Sequence, residues 1–564
     1  MIDSITKYYK NNLDDAVFIN LLRYIPPDID DTTHLEDIVN ILMDSLSIGE
    51  TEVNIKEYIP TRDLKGGGWP ENHIRSLLQS GWTSGNNPPI VKVGEKISWN
   101  KWYYEMHKII AELKARSLLD IKFISQAMSK ESIFSGDIEQ LKAIEAIKSQ
   151  MIILLSGGPG TGKTSTVIKM LHNALCINPS LKVGLAAPTG KATMRLKESL
   201  QNNLTRNNSK ATKGLKDIPC NTLHKWLQAN QERFQKNRSN PLNLDILVVD
   251  EMSMVDLQLM KGLLEALPKE TQLILVGDPN QLSPVNSGAI WDKLQQPDIK
   301  INFKGSIHLQ KTYRNRGEIA ALSKILCNEG IDMFWEKIHN ISTSANIQLH
   351  KSNANNVPQF LLARIQTHFS KLSRLATHIS LNNMGERDLL DKSLEVWNQT
   401  ALDLLLHLDR LMVLCPKRNG NWGVNSIHKS IMGNNFMEDS MNWVSGTPVI
   451  CGQNQPELGL ANGDIGVVIG EAKTSRFLFK DQADLIQIIH PSRLSIVEPA
   501  FALTIHKSQG CEAEEVILLW PEEDSKSSLL QTKKCSNSRH EQRLLYTAIT
   551  RAKKKVDLLI YQNT

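Results

Sequence analysis

The chain has 564 residues, 41% apolar and 22% charged, the profile of an ordinary globular protein that is too long for a single hydrophobic core. Lys and Arg number 65 against 60 Asp and Glu, a net charge of +5, which excludes a polybasic surface and confines any nucleic-acid site to a local groove. Cys176, Cys220, Cys327, Cys415, Cys451, Cys511 and Cys535 lie outside metal-ligand spacing of one another, which excludes zinc ribbons and CxxC redox motifs and predicts free thiols in a reducing compartment.

Residues 1–115 carry no chemical motif. Helix-like periodicity at Leu35–Leu46 and Trp102–Leu113, a Gly66-Gly67-Gly68 turn and four of the eleven tryptophans predict a helical N-terminal domain with its own core. The same tryptophans (Trp69, Trp82, Trp99, Trp102) also suit a partner-docking surface. The opening MIDSITKYYKNNLDD has no apolar stretch of the signal-peptide kind. Ala401–Cys415 is the richest apolar stretch, but Asp403, His407, Asp409 and Arg410 interrupt it and it is too short to span a bilayer. The expectation is a cytoplasmic protein with no membrane association.

From about residue 137, short apolar runs alternate with helical segments. Met151–Leu155, Val183–Ala187, Ile246–Val249 and Leu273–Val276 are each followed within two residues by Gly, Pro or Asp, and they read as parallel strands of an α/β sheet. Gln201–Lys216 is polar and reads as a loop. A second set of strands follows at Met412–Cys415, Val516–Leu519 and Val556–Ile560. Between them, Thr447–Cys451, Asp464–Ile469, Arg476–Lys480 and Leu485–His490 leave no room for helices, which predicts a small β-barrel inserted in the second lobe.

Gly157-Gly158-Pro159-Gly160-Thr161-Gly162-Lys163-Thr164 fits G-x-x-x-x-G-K-[ST] between an apolar run and the helix-like Ser165–Leu175. The glycines let backbone N–H groups converge on phosphate oxygens, and the helix N-terminus adds partial positive charge. Lys163 would reach the β- and γ-phosphates of ATP, and the Thr164 hydroxyl would ligate Mg²⁺. Asp250 ends the run Leu247-Val248-Val249, where a carboxylate is costly unless it faces a cation, and Mg²⁺ is that cation. Glu251 is placed to act as general base on the attacking water. Taken alone, the two acids read equally well as a solvated strand rim. Gln281, in Gly277-Asp278-Pro279-Asn280-Gln281-Leu282, could hold a γ-phosphate and a water through its amide, although the same residues also form a turn. Arg314 and Arg551 are candidate arginine fingers, each a surface salt bridge when read without context.

Eight segments then stand in one order: GGPGTGKT, APTGKA (Ala187–Ala192), TLHKWL (Thr222–Leu227), VVDEMSMV (Val248–Val255), GDPNQLSPV (Gly277–Val285), TYRN (Thr312–Asn315), ALTIHKSQG (Ala502–Gly510) and LYTAITRA (Leu545–Ala552). This order resembles the superfamily 1 helicase motifs, and with Leu460–Gly466 the chain is similar to the RecD-type branch, the alpha subunit of exodeoxyribonuclease V (RecBCD). The resemblance implies an α/β architecture of two RecA-like P-loop lobes with a small SH3-like β-barrel insertion and a helical N-terminal domain. It divides the chain into a docking domain (1–115), lobe 1 (116–305), lobe 2 (306–436 and 499–564) and the insertion (437–498).

By the same resemblance, Gln140 reads adenine, Gly157–Ser165 cradles the nucleotide, and Glu512 lies near the ribose, in Cys511-Glu512-Ala513 where the family usually has Ser-Glu-Phe. Thr189, Lys191, Thr222, His224, Thr504 and His506 match positions lining a single-strand channel. Hydroxyls, imidazoles and amines there suit backbone contacts that read no sequence; without the resemblance the two histidines read as satisfied core residues. The implied function is an ATP-dependent 5′-3′ DNA translocase acting with RecB-like and RecC-like subunits in a heterotrimer, on single strands and duplex ends, in recombinational repair. The alternatives are a stand-alone RecD-like helicase, whose N-terminal helix-hairpin-helix elements are not found in residues 1–115, a subunit that binds nucleotide without turnover, and a P-loop ATPase unrelated to DNA.

Overall fold

The computed structural model describes residues 13–60, 62–121, 136–204, 214–230, 233–284, 288–313, 317–340, 346–352, 356–379, 392–437, 439–471, 474–480, 486–520 and 536–561. At the N-terminus, helices Leu13–Tyr24, Thr33–Ser47 and Glu71–Gln79 pack against three short antiparallel strands, β1 (Glu52–Asn54), β2 (Ile90–Val93) and β3 (Lys96–Trp99), in the order β1-β3-β2. Leu35, Ile38, Val39, Leu42 and Leu46 recur at helical spacing and form one wall of this core around the fully buried Trp82. The expected helical domain is thus a mixed one. Its strands, three or four residues long, are too brief for alternation to register in a sequence.

The helix predicted at Trp102–Leu113 forms, as Asn100–Ser117, but it does not belong to the N-terminal core alone. Met106, Ile109, Ile110 and Leu113 are buried in the core of the following sheet, and Trp102 packs against both cores. Arg116, 2% exposed, fastens the far end. Its guanidinium donates to the carbonyls of Leu264 (2.9 Å), Leu267 (2.9 Å) and Pro268 (2.8 Å), where the helix Leu257–Ala266 runs out of N–H partners. A boundary near residue 115 therefore separates no two cores, because the apolar periodicity of a helix does not say which core it fills.

Six parallel strands build the first sheet: β4 (Ile152–Gly157), β5 (Val183–Ala187), β6 (Cys220–Thr222), β7 (Ile246–Val249), β8 (Gln272–Gly277) and β9 (Gly305–Leu309), in the order β6-β5-β7-β8-β4-β9. Ile152, Leu154, Leu247, Val249, Leu273 and Leu275 enter one core, and Ile153, Leu155, Ile246, Val248, Ile274 and Val276 enter another. Burial on both faces is why these strands read as unbroken apolar runs. The polar stretch from Gln201 is helical in its first part: Gly190–Leu204 extends through it because Leu196 and Leu200 are buried, while 205–213 lie outside the described residues.

The second sheet is also parallel. It contains β10 (Ile347–Ser352), β11 (Leu411–Cys415), β17 (Leu503–Thr504), β18 (Ala513–Trp520) and β19 (Ala552–Tyr561), in the order β10-β19-β18-β11-β17. Between β11 and β17 the chain forms five antiparallel strands, β12 (Pro448–Cys451), β13 (Ile465–Ile469), β14 (Arg476–Lys480), β15 (Ile486–Ile489) and β16 (Val497–Pro499), ordered β15-β14-β13-β12-β16. Val468, Phe477 and Phe479 face one core, while Val467, Ile469 and Leu478 pack on Leu372, Ala376 and Leu404 of two helices. Where a small barrel was expected, the edge strands β15 and β16 share no ladder among the described residues. No helix of the described residues is long and apolar enough to cross a membrane.

Arg116→Ala strips three carbonyls, two of them buried, of a charged donor. It should lower unfolding stability by about 3 kcal/mol in chemical denaturation; an unchanged midpoint would mean that the shared helix is not fastened there.

Candidate active site

The apolar run of β4 ends in the loop Gly157–Gly162, and the helix Lys163–Ile177 begins at once. Gly160 and Gly162 take φ of +72° and +85°, which side chains disfavour. A Cβ on Gly157 would stand 2.8 Å from Thr161 Oγ1 and 2.9 Å from the Leu309 carbonyl. Lys163 Nζ donates to the carbonyls of Gly157 (2.7 Å) and Gly158 (2.9 Å), and Thr161 Oγ1 donates to Gly158 O (2.8 Å), so the loop holds its own lysine beside the backbone N–H groups. Pro159 lies within this loop, and Thr164 and Ser165 occupy the first helical turn, Ser165 exposed.

Gln140 is buried in the helix Ile138–Ala146, capped by Asp137, which accepts Gln140 N at 2.9 Å. A Cβ on Gly162 would meet Gln140 Nε2 at 3.0 Å and the Tyr313 ring at 3.7 Å. Tyr313 in turn donates its hydroxyl to Asp137 Oδ2 (2.7 Å) and its N–H to Gly160 O (2.8 Å). Gln140 and Tyr313 thus flank the phosphate loop.

Strand order β7-β8-β4 brings three carboxyl ends together. Asp250 follows β7 and accepts Glu251 N at 2.8 Å. Burial and the adjacent Glu251 carboxylate push Asp250 up to about 7, against the pull of Lys163. Glu251 has φ of +54°, a left-handed backbone that costs a residue with a Cβ about 1 kcal/mol or more. Asp278, after β8, is 1% exposed; burial raises its pKa, opposed by Lys163 and by hydrogen bonds from Asn280 N (3.0 Å) and the Tyr546 hydroxyl (2.9 Å). Gln281 Nε2 lies 3.4 Å from Asp278 Oδ2, and its Oε1 is buried without a hydrogen-bond partner. Arg551 is buried and donates from Nε to Thr547 O (3.0 Å) and from Nη1 to Cys511 O (3.2 Å). It is a charge neighbour of Tyr546, which touches Asp278. Arg314 lies outside the described residues.

A second group gathers at the same carboxyl edge, farther along the sheets. Thr189, Thr222 and Thr504 each sit at or just past a strand's carboxyl end, and each Oγ1 accepts a backbone N–H of the following turn, from Ala192 (3.3 Å), Lys225 (3.2 Å) and Lys507 (3.3 Å). A Cβ on Gly510 would lie 3.3 Å from Thr189 Oγ1, so the Thr189 turn meets the second lobe. Lys191 pairs with Asp409 at 3.8 Å, and Gly190 is pressed against Ala461, whose N–H is held by Asp464 (2.7 Å). His506 stacks on His540 at 6.1 Å, whereas His224 is exposed. Glu512 joins this group: it pairs with Arg195 (3.4 Å), on the helix after Thr189, and with Lys553 (3.6 Å). Among the described residues no three His, Cys, Asp or Glu side chains are grouped to hold a metal.

Asp278, Tyr546, Asp137 and Tyr313 belong to the same surface, yet were not singled out as site residues. Three of them lie inside motifs already quoted, but the contact between Tyr546 and Asp278 spans 268 positions and leaves no local signal.

Residues 140–287 match the AAA domain family and residues 499–559 the UvrD-like helicase C-terminal domain family. The chain is similar to the RecBCD enzyme subunit RecD of Mycolicibacterium smegmatis, 29% identical over 93% of this chain and 88% of that protein. It is 30% identical to the RecBCD enzyme subunit RecD of Mycobacterium tuberculosis over 83% of this chain and 77% of that one. Among solved structures, Bacteroides Pif1 bound to single-stranded DNA aligns with a TM-score of 0.41 and 15% identity over 75% of this chain and 92% of that one. With the ordered motifs, the paired parallel sheets and relatives that match along most of its length, the chain belongs to the RecD family of superfamily 1 helicases and is an ATP-dependent DNA helicase.

Proposed function

We propose that this chain is the 5′-3′ motor of a RecBCD-type helicase–nuclease, drawing one strand from a duplex DNA end in the cytoplasm so that the break can be processed for recombinational repair. The observation that carries the reading is the seam itself. The phosphate loop, Asp250, Glu251 and Gln281 come from the first lobe, and Tyr546, in contact with Asp278 and beside Arg551, comes from the second. Hydrolysis at such a seam changes how the lobes meet, and the same change moves the Thr189 turn against Gly510 on the strand side. RecB-like and RecC-like partners are supported by the names of the relatives, which are subunits of the RecBCD enzyme.

In this reading Lys163 leaves the loop carbonyls for the β- and γ-phosphates of ATP, and the helix N-terminus beneath them holds the remaining charge. Glu251 takes the proton of the attacking water. The unpartnered Oε1 of Gln281 accepts a hydrogen bond from that water, and Arg551 meets the charge on the transferred group. Magnesium fits the residues present. Asp250 is a carboxylate raised by burial with a like charge next to it, and Thr164 offers a hydroxyl in the adjacent turn. Few protein oxygens, completed by phosphate and water, are what Mg²⁺ selects, and when bound it neutralises phosphate charge. Gln140 remains assigned to the base, and Thr189, Lys191, Thr222, His224, Thr504 and His506 to the strand backbone; Glu512, expected near the ribose, stands instead with the strand group through Arg195 and Lys553.

Protein drawn from its own cells should co-elute with two larger subunits, and the complex should unwind duplexes through its RecD-like motor from a 5′ tail. A lone chain, or opening from a 3′ tail only, would overturn the partner or the polarity. Lys163→Gln should abolish hydrolysis in a folded protein, and Glu251→Gln should keep ATP binding while slowing hydrolysis roughly 10²–10⁴-fold in a steady-state assay. Loss of binding in Glu251→Gln would assign that residue a structural role instead.

Without nucleotide or magnesium, Asp250 holds its proton in the folded protein up to about pH 7, whereas the unfolded chain releases it near 3.8. The folded state therefore binds the extra proton between these values, and stability falls as pH rises through them. Asp250→Asn should raise the thermal midpoint of the ligand-free protein at pH 8, and the gain should shrink toward pH 4. An equal gain at both would mean that the acid is not protonated by its surroundings.

A further inference from the structure

The turn that carries Gln281 is first-lobe in sequence, yet the second lobe holds it. Leu282 N donates to Thr547 Oγ1 (3.1 Å), Gln509 Nε2 donates to Leu282 O (3.1 Å), and the Tyr546 hydroxyl reaches Asp278. The most extensive grip is that of Arg543, on the helix Ser536–Ile549. Nη2 donates to Pro279 O (3.2 Å) and Nη1 to Ser283 Oγ (2.7 Å), so one guanidinium bridges the residues on either side of Asn280-Gln281-Leu282. The same guanidinium grips both carboxylate oxygens of Asp292, and Ser283 Oγ donates to that carboxylate at 3.0 Å. Arg543 is 9% exposed, a buried cation that is tolerable because it is paired and its donors are matched.

The third party is the N-terminal layer. Gly49 O accepts Gly288 N (3.2 Å) and Ala289 N (3.3 Å), just ahead of the helix Ile290–Gln295 that carries Asp292. Lys293 of that helix pairs with Glu52 at 2.6 Å, and Glu50 is a charge neighbour of Arg539, Arg543 and Asp292. Lobe 1, lobe 2 and the N-terminal layer thus meet at one side chain.

We infer that Arg543 is a positioning residue for ATP hydrolysis: from the second lobe it fixes the Pro279–Ser283 turn, and through it the buried Gln281 amide, while Asp292 and the Gly49–Glu52 loop fix Arg543. The inference rests on the role given to Gln281 above. A planar fork reaches three acceptors at once, whereas an ammonium is a single point charge. Parting the lobes releases Arg543, and the Gln281 amide loses its placement while the phosphate loop keeps its own.

The test compares Arg543→Gln, Arg543→Lys, Ser283→Ala, Gln281→Ala and the double variant Arg543→Gln/Gln281→Ala in the full chain with single-stranded DNA. Misplacing a catalytic group by about 1 Å costs on the order of 10²-fold. Arg543→Gln should lower kcat by about that factor with KM for ATP unchanged, Arg543→Lys and Ser283→Ala should fall between it and the native protein, and the double variant should match Gln281→Ala. Hydrogen exchange at the amides of residues 278–283 should quicken in Arg543→Gln, with residues 157–164 unchanged; Ser283→Ala supplies the same reading if Arg543→Gln unfolds. Normal kcat and exchange in the Arg543 and Ser283 variants, or additive losses in the double variant, overturn the inference. A Gln281→Ala variant with native kcat overturns the hydrolysis assignment of Gln281 instead.

Discussion

A parallel strand buried on both faces tolerates no uncompensated charge along its length, and that constraint decides where chemistry can sit in this molecule. In the first sheet the apolar runs stop at Gly157, Asp250 and Asp278, all at carboxyl ends, and the strand order sets those ends side by side. The second sheet shows the cost of an exception. Asp557 lies within β19 at 1% exposure, and Lys555, His350 and Arg364 stand 3.1, 3.7 and 3.9 Å from it. A carboxylate placed mid-strand is met by two cations and an imidazole, whereas one at a strand end can face a ligand.

The same edge explains why the threonines of the strand group serve two purposes without conflict. Each Oγ accepts an N–H through a lone pair, which pins the helix or turn that follows. The hydroxyl proton stays available to donate. A phosphate arriving at such a cap meets an O–H donor together with the partial positive charge of the turn beneath it, and neither depends on the base attached.

What the sequence made legible was whatever a local segment can express. The phosphate loop, the Asp250-Glu251 pair and the apolar strands are each written in fewer than ten consecutive residues, and their backbone geometry follows from glycine, strand and helix preferences. The seam was not legible. Arg543 meets Pro279 and Ser283 across more than 250 positions, and nothing in Arg539–Leu545 distinguishes it from a surface arginine. The N-terminal sheet was missed because β1, β2 and β3 are too short to show alternation, and the helix Asn100–Ser117 was assigned to one core because its apolar face carries no label of the partner it packs on. Arg314 lies outside the described residues, so its place among the finger candidates rests on sequence alone.

The helix Asn100–Ser117 has a consequence for how the molecule breathes. One rod, with Trp102 packed on both cores at its start and Arg116 locked beneath the helix Leu257–Ala266 at its end, cannot unfold in one layer while staying folded in the other. The N-terminal layer and the first lobe are therefore one cooperative unit, opening together or not at all. A load applied at the outer layer reaches the lobe that holds the phosphate loop through a helix packed on both cores.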